Sequence, residues 1–141
     1  MKLTFSKEWQ CFAVSADLLQ ILERTVDPLT HNEKEWKAIT LNFRDPDYSS
    51  IEGGFHPVEI RLENTANGWK FNYITDFSYQ GTHGMSELEK ELDFLFPERS
   101  TYHLYTGLHR AEDSAPLFKL WQGNFVSYVQ MGVFEVEVQV T

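Results

Sequence analysis

Four stretches of the chain alternate apolar with polar side chains, and three others repeat apolar residues at helical spacing. These two periods sort most of the sequence into strands and helices. Leu18, Ile21, Leu22 and Val26 fall on one helical stripe, Ser15 stands where an N-cap belongs, and Pro28 forbids continuation, so a helix is predicted over residues 16–26. From Trp36 to Arg44 the pattern becomes that of a half-buried strand, with Ile39, Leu41 and Phe43 opposed by Thr40, Asn42 and Arg44. His56, Val58, Ile60 and Leu62 repeat it against Glu59, Arg61 and Glu63. After the turn-rich NTANG, Trp69, Phe71, Tyr73, Thr75, Phe77 and Tyr79 alternate with Lys70, Asn72, Ile74, Asp76 and Ser78, which predicts a β-hairpin.

A one-residue slip would send a whole apolar set into water, so the hairpin register is open to argument. Placing Glu63 opposite Gly68 across a four-residue loop pairs Leu62 with Trp69, Ile60 with Phe71 and Val58 with Tyr73, all apolar matches. The other face then carries Glu59 opposite Asn72, Arg61 opposite Lys70 and Phe55 opposite Asp76.

Further along, Ser86 with Glu89 reads as a capping box, and Leu88, Leu92 and Leu95 or Phe96 continue it to Pro97, predicting a second short helix. Residues 98–113 show no period and read as loop. Leu117, Leu120, Trp121, Phe125, Tyr128 and Met131 return to helical spacing, with Pro116 placed in the first turn and Gly132 at a left-handed C-terminal cap. The closing VFEVEVQV is a strand with one wet face. Alternating strands imply an antiparallel sheet solvated on one side, with the amphipathic helices covering the other. The predicted class is α+β: about four strands with roughly three helices packed on one face. The last strand could lie on the hairpin edge or beside the 36–44 strand.

Length and composition narrow the function classes. The 141 residues suit one domain, and 42% hydrophobic with 15% aromatic content supplies a core. A formal charge of −9 disfavours nucleic acid and anionic membrane surfaces, both of which call for a basic stripe. No apolar run has the length of a signal peptide core or a membrane span, so a cytoplasmic protein is expected. The single cysteine, Cys11, sits in the apolar WQCFAV and reads as a structural thiol.

Candidate chemistry is sparse. Asp45, Asp47 and Glu52 offer oxygen ligands to a cation, but the spacing fails the calcium-loop pattern, which wants glycine where Ser50 stands. Aspartate, proline and serine followed by Gly53 and Gly54 are also ordinary turn chemistry, and the turn reading is preferred. The polar side of the sheet gathers Asn42, Arg44, Glu59, Arg61, Asn72 and Asp76, a mixed-charge surface bordered by Tyr48, Phe55 and Tyr79. Its bland alternative is a solvated face of cross-strand ion pairs. Asp76, in the aromatic YITDFSY, stands out as a carboxylate open to desolvation, against the commoner role of anchoring a loop. The five histidines, His31, His56, His83, His103 and His109, lack zinc-site spacing, and His56 belongs to the apolar face. No phosphate-binding loop, nucleophile elbow or dinucleotide fingerprint occurs, so no metal or cofactor is expected.

The segments ITLNFRDPDYS (39–49), GGFHPVEIRLE (53–63) and YITDFSY (73–79), with WxxNF at 121–125 and the closing GVFEVEVQV, resemble an uncharacterised bacterial family, domain of unknown function 2787, from about residue 14 onward. The resemblance implies a bacterial protein built as one domain and carries over no catalytic residue. The first expectation is a non-enzymatic cytoplasmic module that docks a protein or a small polar ligand on its polar sheet face. The alternative is a small hydrolase or transferase using Asp76 with Glu59 or His56. A monomer is expected, with pairing through the terminal strand as the other option.

Overall fold

The computed structural model describes residues 3–29, 35–81 and 85–141, so His31 and His83 lie outside the described residues. Helix α1 spans Ala16–Val26, the range its sequence predicts; the Ser15 hydroxyl accepts the Leu18 N–H at 3.2 Å, and Leu18, Leu22 and Val26 are buried. Pro28 follows in a short 3₁₀ turn over Asp27–Leu29. Seven strands then build one sheet: β1 (Ala38–Arg44), β2 (Val58–Thr65), β3 (Gly68–Gln80), β4 (Glu87–Leu95), β5 (Ser100–His103), β6 (Gly107–Arg110) and, after helix α2 (Ala111–Gln130), β7 (Glu135–Val140). Their order is β6-β5-β4-β3-β2-β1-β7, with every pairing antiparallel.

The class is thus α+β with an antiparallel sheet, but among the described residues it has seven strands and two α-helices rather than four and three. Where the second helix is predicted, Glu87–Leu95 form strand β4 instead. Leu88, Leu92 and Leu95 satisfy a helical period, yet Leu92, Phe94 and Phe96 also satisfy period two, and pairing with β3 on one side and β5 on the other overrides a local capping signal. The 98–113 stretch is the β5–β6 hairpin and the start of α2, not loop. Pro116 therefore lies in the second turn of α2, where one intrahelical bond is lost. Gly132 closes the helix at φ +77° as expected, and β7 pairs beside β1.

Helix α2 starts directly after β6 at one edge and hands the chain to β7 at the other. Its 20 residues span roughly 30 Å, close to the roughly 29 Å across six strand spacings. One helix thereby crosses the whole inner face. No helix among the described residues is long and apolar enough to cross a membrane.

The hairpin register departs from the predicted one, with consequences for function. The turn is tighter: Thr65 pairs with Gly68, and its hydroxyl donates to the Gly68 carbonyl while accepting the Asn67 N–H. Leu62 therefore meets Phe71, and Glu63 meets Lys70. Arg61 then meets Tyr73, leaving Asn72 as the extra residue of a β-bulge. The bulge reverses parity. Trp69 and Phe71 face inward as predicted, but beyond Asn72 the inward residues are Ile74, fully buried, and Asp76, while Tyr73 and Thr75 turn to the outer face. A second bulge lies between β3 and β4, where Asp76 meets Leu92 and Phe77 meets Lys90, so Glu91 is extra.

Candidate ligand-binding cavity

The two bulges put carboxylates on the helix-covered side of the sheet. Asp76 is 8% exposed, and both of its oxygens are engaged: Oδ2 accepts the Trp121 indole N–H at 2.8 Å, and Oδ1 lies 2.7 Å from His56 Nδ1. Burying a carboxylate is costly unless its lone pairs are matched, and these two contacts supply the match. Glu91 Oε2 lies 3.7 Å from the same imidazole nitrogen. The hydrogen bond to the Asp76 carboxylate raises the His56 pKa above its ordinary value, with partial burial working against it. Donor atoms of His56, Asp76 and Glu91 all fall within 4.8 Å of one another, and no other such group occurs among the described residues.

This polar corner closes one end of a cavity of about 320 Å³ between the sheet and the second half of α2. Trp121 and Phe125, stacked with centroids 5.1 Å apart, form the helix side together with Tyr128. Phe55 packs on Tyr128 at 4.7 Å, and Phe134 closes the end near β7. Asn124 stands exposed at the mouth.

The acidic turn that precedes β2 shapes this opening. Asp45 accepts backbone N–H groups with both oxygens, from Asp47 at 2.9 Å and from Phe55 at 3.0 Å, and the Ser49 hydroxyl accepts from Glu52. A side chain at Gly54, which sits at φ +132°, would stand 2.9 Å from the Asp45 carboxylate and 3.0 Å from the Tyr48 Cα. Asp45 is thus committed to the loop's own backbone, in keeping with the turn reading. The folded loop hangs Tyr48 beside His56, ring centroids 5.6 Å apart, and Tyr48 stacks on Tyr79 while its hydroxyl accepts the Tyr79 N–H.

The predicted polar-face cluster is only partly assembled. Asn42 pairs with Glu59 across β1 and β2, Arg44 with Glu135 across β1 and β7, and Arg61 lies between Thr40 and Glu63, all on the outer face. Asn72 is the extra residue of the bulge opposite Arg61, and Asp76 is on the opposite side of the sheet, so Asp76 does not belong to that cluster. Phe55 likewise packs against α2 rather than bordering the outer face. In place of Asp76 the outer face holds Tyr73, whose hydroxyl donates to Glu59, and Asp93, which accepts from Thr75 at 2.7 Å and pairs with Lys90 at 3.4 Å. Burial first, then Glu59, pushes the Tyr73 pKa up. These charges are satisfied by one another. A wider, open depression of about 530 Å³ is lined by Lys90, Asp93, Tyr102 and Leu108, and its Lys90 and Asp93 pair with each other.

His56 fulfils its apolar-face reading as a hydrogen-bonded residue at the core edge. Cys11 is half-buried, its thiol donating to the Phe96 carbonyl at 3.4 Å, and burial pushes its pKa up. Sequence reasoning missed Glu91 and took Trp121, Phe125 and Tyr128 as core stripe alone. The usable signals were an aspartate set among aromatic residues and a histidine in an alternating run.

Comparison with known proteins agrees with this architecture. The profile of the family described as "Protein of unknown function (DUF2787)" matches residues 16–139. No curated protein matches the chain. Among solved structures, the hypothetical protein VC0508 from the VSP-II pathogenicity island of Vibrio cholerae is 34% identical, with 99% of this chain and 100% of that one covered at a TM-score of 0.88. The conserved hypothetical protein VC1805 from pathogenicity island VPI-2 of the same species, described as sharing structural homology with the human P32 protein, is 32% identical over 94% of this chain and 98% of that one, with a TM-score of 0.80. A matched segment running from the first residue of α1 almost to the end of β7 places the whole sheet and both helices inside one unit of descent: the chain belongs to the DUF2787 family.

Proposed function

We propose that this chain is a small-ligand-binding domain whose site is the cavity under α2, not the polar sheet face. The observation that carries the reading is the cavity's division of labour. Aromatic walls surround about 320 Å³, and three polar side chains converge at one end. That combination of apolar enclosure with a few placed polar groups is the usual design of a small-molecule site. The outer face offers the opposite, polar groups already paired with their neighbours. A ligand that fits presents an apolar or aromatic body to Trp121, Phe125 and Phe55 and a compact polar head to His56, Asp76 and Glu91. Asn124→Trp tests the reading because it plugs the mouth from an exposed helix position. Ligands from a fragment library that raise the melting temperature of the native chain should lose that effect in Asn124→Trp and keep it in Arg61→Glu on the outer face. The reverse pattern would move the site to the sheet face.

One observation favours a catalytic version of the same site. Trp121 fixes Asp76, and Asp76 in turn orients the His56 imidazole, an arrangement suited to a general base acting on water or a substrate hydroxyl. Glu59 has no part in it, being on the other side of the sheet. Turnover of ester or phosphoester probes that disappears in His56→Gln would support this version. The acidic composition, the single half-buried thiol and the likeness to Vibrio proteins support a bacterial cytoplasmic setting.

A further inference from the structure

We infer that the polar corner of the cavity is a binding site for a first-row divalent transition metal, with His56 Nδ1, one Asp76 oxygen and one Glu91 oxygen as ligands. The inference rests on the cavity being the working site and specifies what its polar end holds. Geometry comes first. The imidazole nitrogen stands 2.7 Å from an Asp76 oxygen and 3.7 Å from a Glu91 oxygen, and all three donors lie within 4.8 Å. Bonds of roughly 2.0–2.2 Å from one ion set neighbouring donors about 3 Å apart, so small side-chain rotations complete the set.

Charge points the same way. Two carboxylates meet one imidazole here, and no lysine or arginine lines the cavity. Even with the imidazole protonated the corner keeps a net negative charge beside a nearly buried aspartate, a situation that a bound cation relieves. Glu91 makes the point sharply. It is the extra residue of the second bulge, and its carboxylate reaches the imidazole at 3.7 Å while its backbone carbonyl accepts the Leu104 N–H. A bulge that serves only to bend the sheet has no need to aim a carboxylate at a second one; re-aiming a side chain into a site is a recurrent use of bulges. Trp121 completes the arrangement, because its indole N–H holds the Asp76 oxygen that does not face His56, as an outer-shell donor does for a ligating carboxylate.

The donor set selects the class of ion. An imidazole nitrogen with two carboxylate oxygens suits zinc, manganese, iron or cobalt in the divalent state better than calcium or magnesium, which prefer all-oxygen cages. Three protein ligands leave open positions, and these face the aromatic chamber where a ligand head would sit.

The test is titration of the chelator-stripped full-length protein with Co²⁺, read by its visible absorption bands, and with Zn²⁺, read by calorimetry. The structure predicts about one ion per chain, affinity lowered at least tenfold in Glu91→Gln and Asp76→Asn, about tenfold in Trp121→Phe, and unchanged in Glu59→Gln on the outer face. Glu91 is partly exposed, so Glu91→Gln carries the test if Asp76→Asn fails to fold. Absence of a Co²⁺ band in the native chain, or binding indifferent to Glu91→Gln, would overturn the inference. Fragment binding separates the two claims: fragments that bind a chain showing no Co²⁺ band leave the cavity standing without its metal, and a Co²⁺ band in a chain that takes up no fragment leaves the metal without the proposed ligand site.

Discussion

At the scale of single residues, the site is held by the contacts of Asp76. Replacing Trp121 with phenylalanine keeps the ring stack on Phe125 but leaves the Asp76 Oδ2 without its donor, and an unmatched buried polar atom costs about 1–3 kcal/mol. Urea denaturation should show that loss in Trp121→Phe and essentially none at Trp9→Phe, a residue 72% exposed. His56 makes stability depend on pH in a defined direction. Its folded pKa is raised, chiefly by the Asp76 hydrogen bond, with the Asp76 and Glu91 charges also favouring the cation. Its contribution is therefore complete below the unfolded value of about 6.5 and fades as pH rises through the folded pKa. In chelator, the stability gap between the native chain and His56→Gln should be wider at acid pH than at alkaline pH; an equal gap at both would show that the ring acts by packing alone. Of these residues, Asp76 was visible in the sequence by its aromatic company and His56 by its place in an alternating run. Glu91 gave no sign, because nothing in ELEKELDFL marks which glutamate a bulge will turn inward.

At the scale of elements, bulges decide which residues meet. Residues 69–79 alternate almost without fault in sequence, yet Asn72 breaks the parity, so Ile74 rather than Tyr73 enters the core. Ile74→Ala should cost about 2–5 kcal/mol, and Tyr73→Phe, which removes only the hydroxyl donated to Glu59, about 0.5–1.5 kcal/mol. Equal costs in a denaturation series would restore the uninterrupted register. The elements that were legible, α1, β1, β2, β7 and the latter part of α2, are those with one clean period. β4 was misread because its leucines satisfy the helical period as well as the strand period, and local capping chemistry has no knowledge of the neighbours β3 and β5. Strands β5 and β6, four residues each, are too short to display any period.

At the scale of the whole molecule, two helices have to cover seven strands. Helix α2 is long enough to cross the sheet, and the space beneath its second half is filled only partly by side chains, which is where the cavity lies. The class and the single antiparallel sheet follow from alternation and from the cover that amphipathic helices provide. The strand count and the cavity arise from pairings and bulges, which long-range contacts settle. The same bulges move the interest of the molecule from its wet face to its covered one. Amide and indole chemical-shift mapping of a fragment library on the labelled protein compares those two faces in one experiment. The account predicts that the largest shifts fall on Phe55, His56, Asp76, Glu91 and the Trp121 indole; shifts gathered instead on Asn42, Arg44, Glu59 and Arg61 would contradict it.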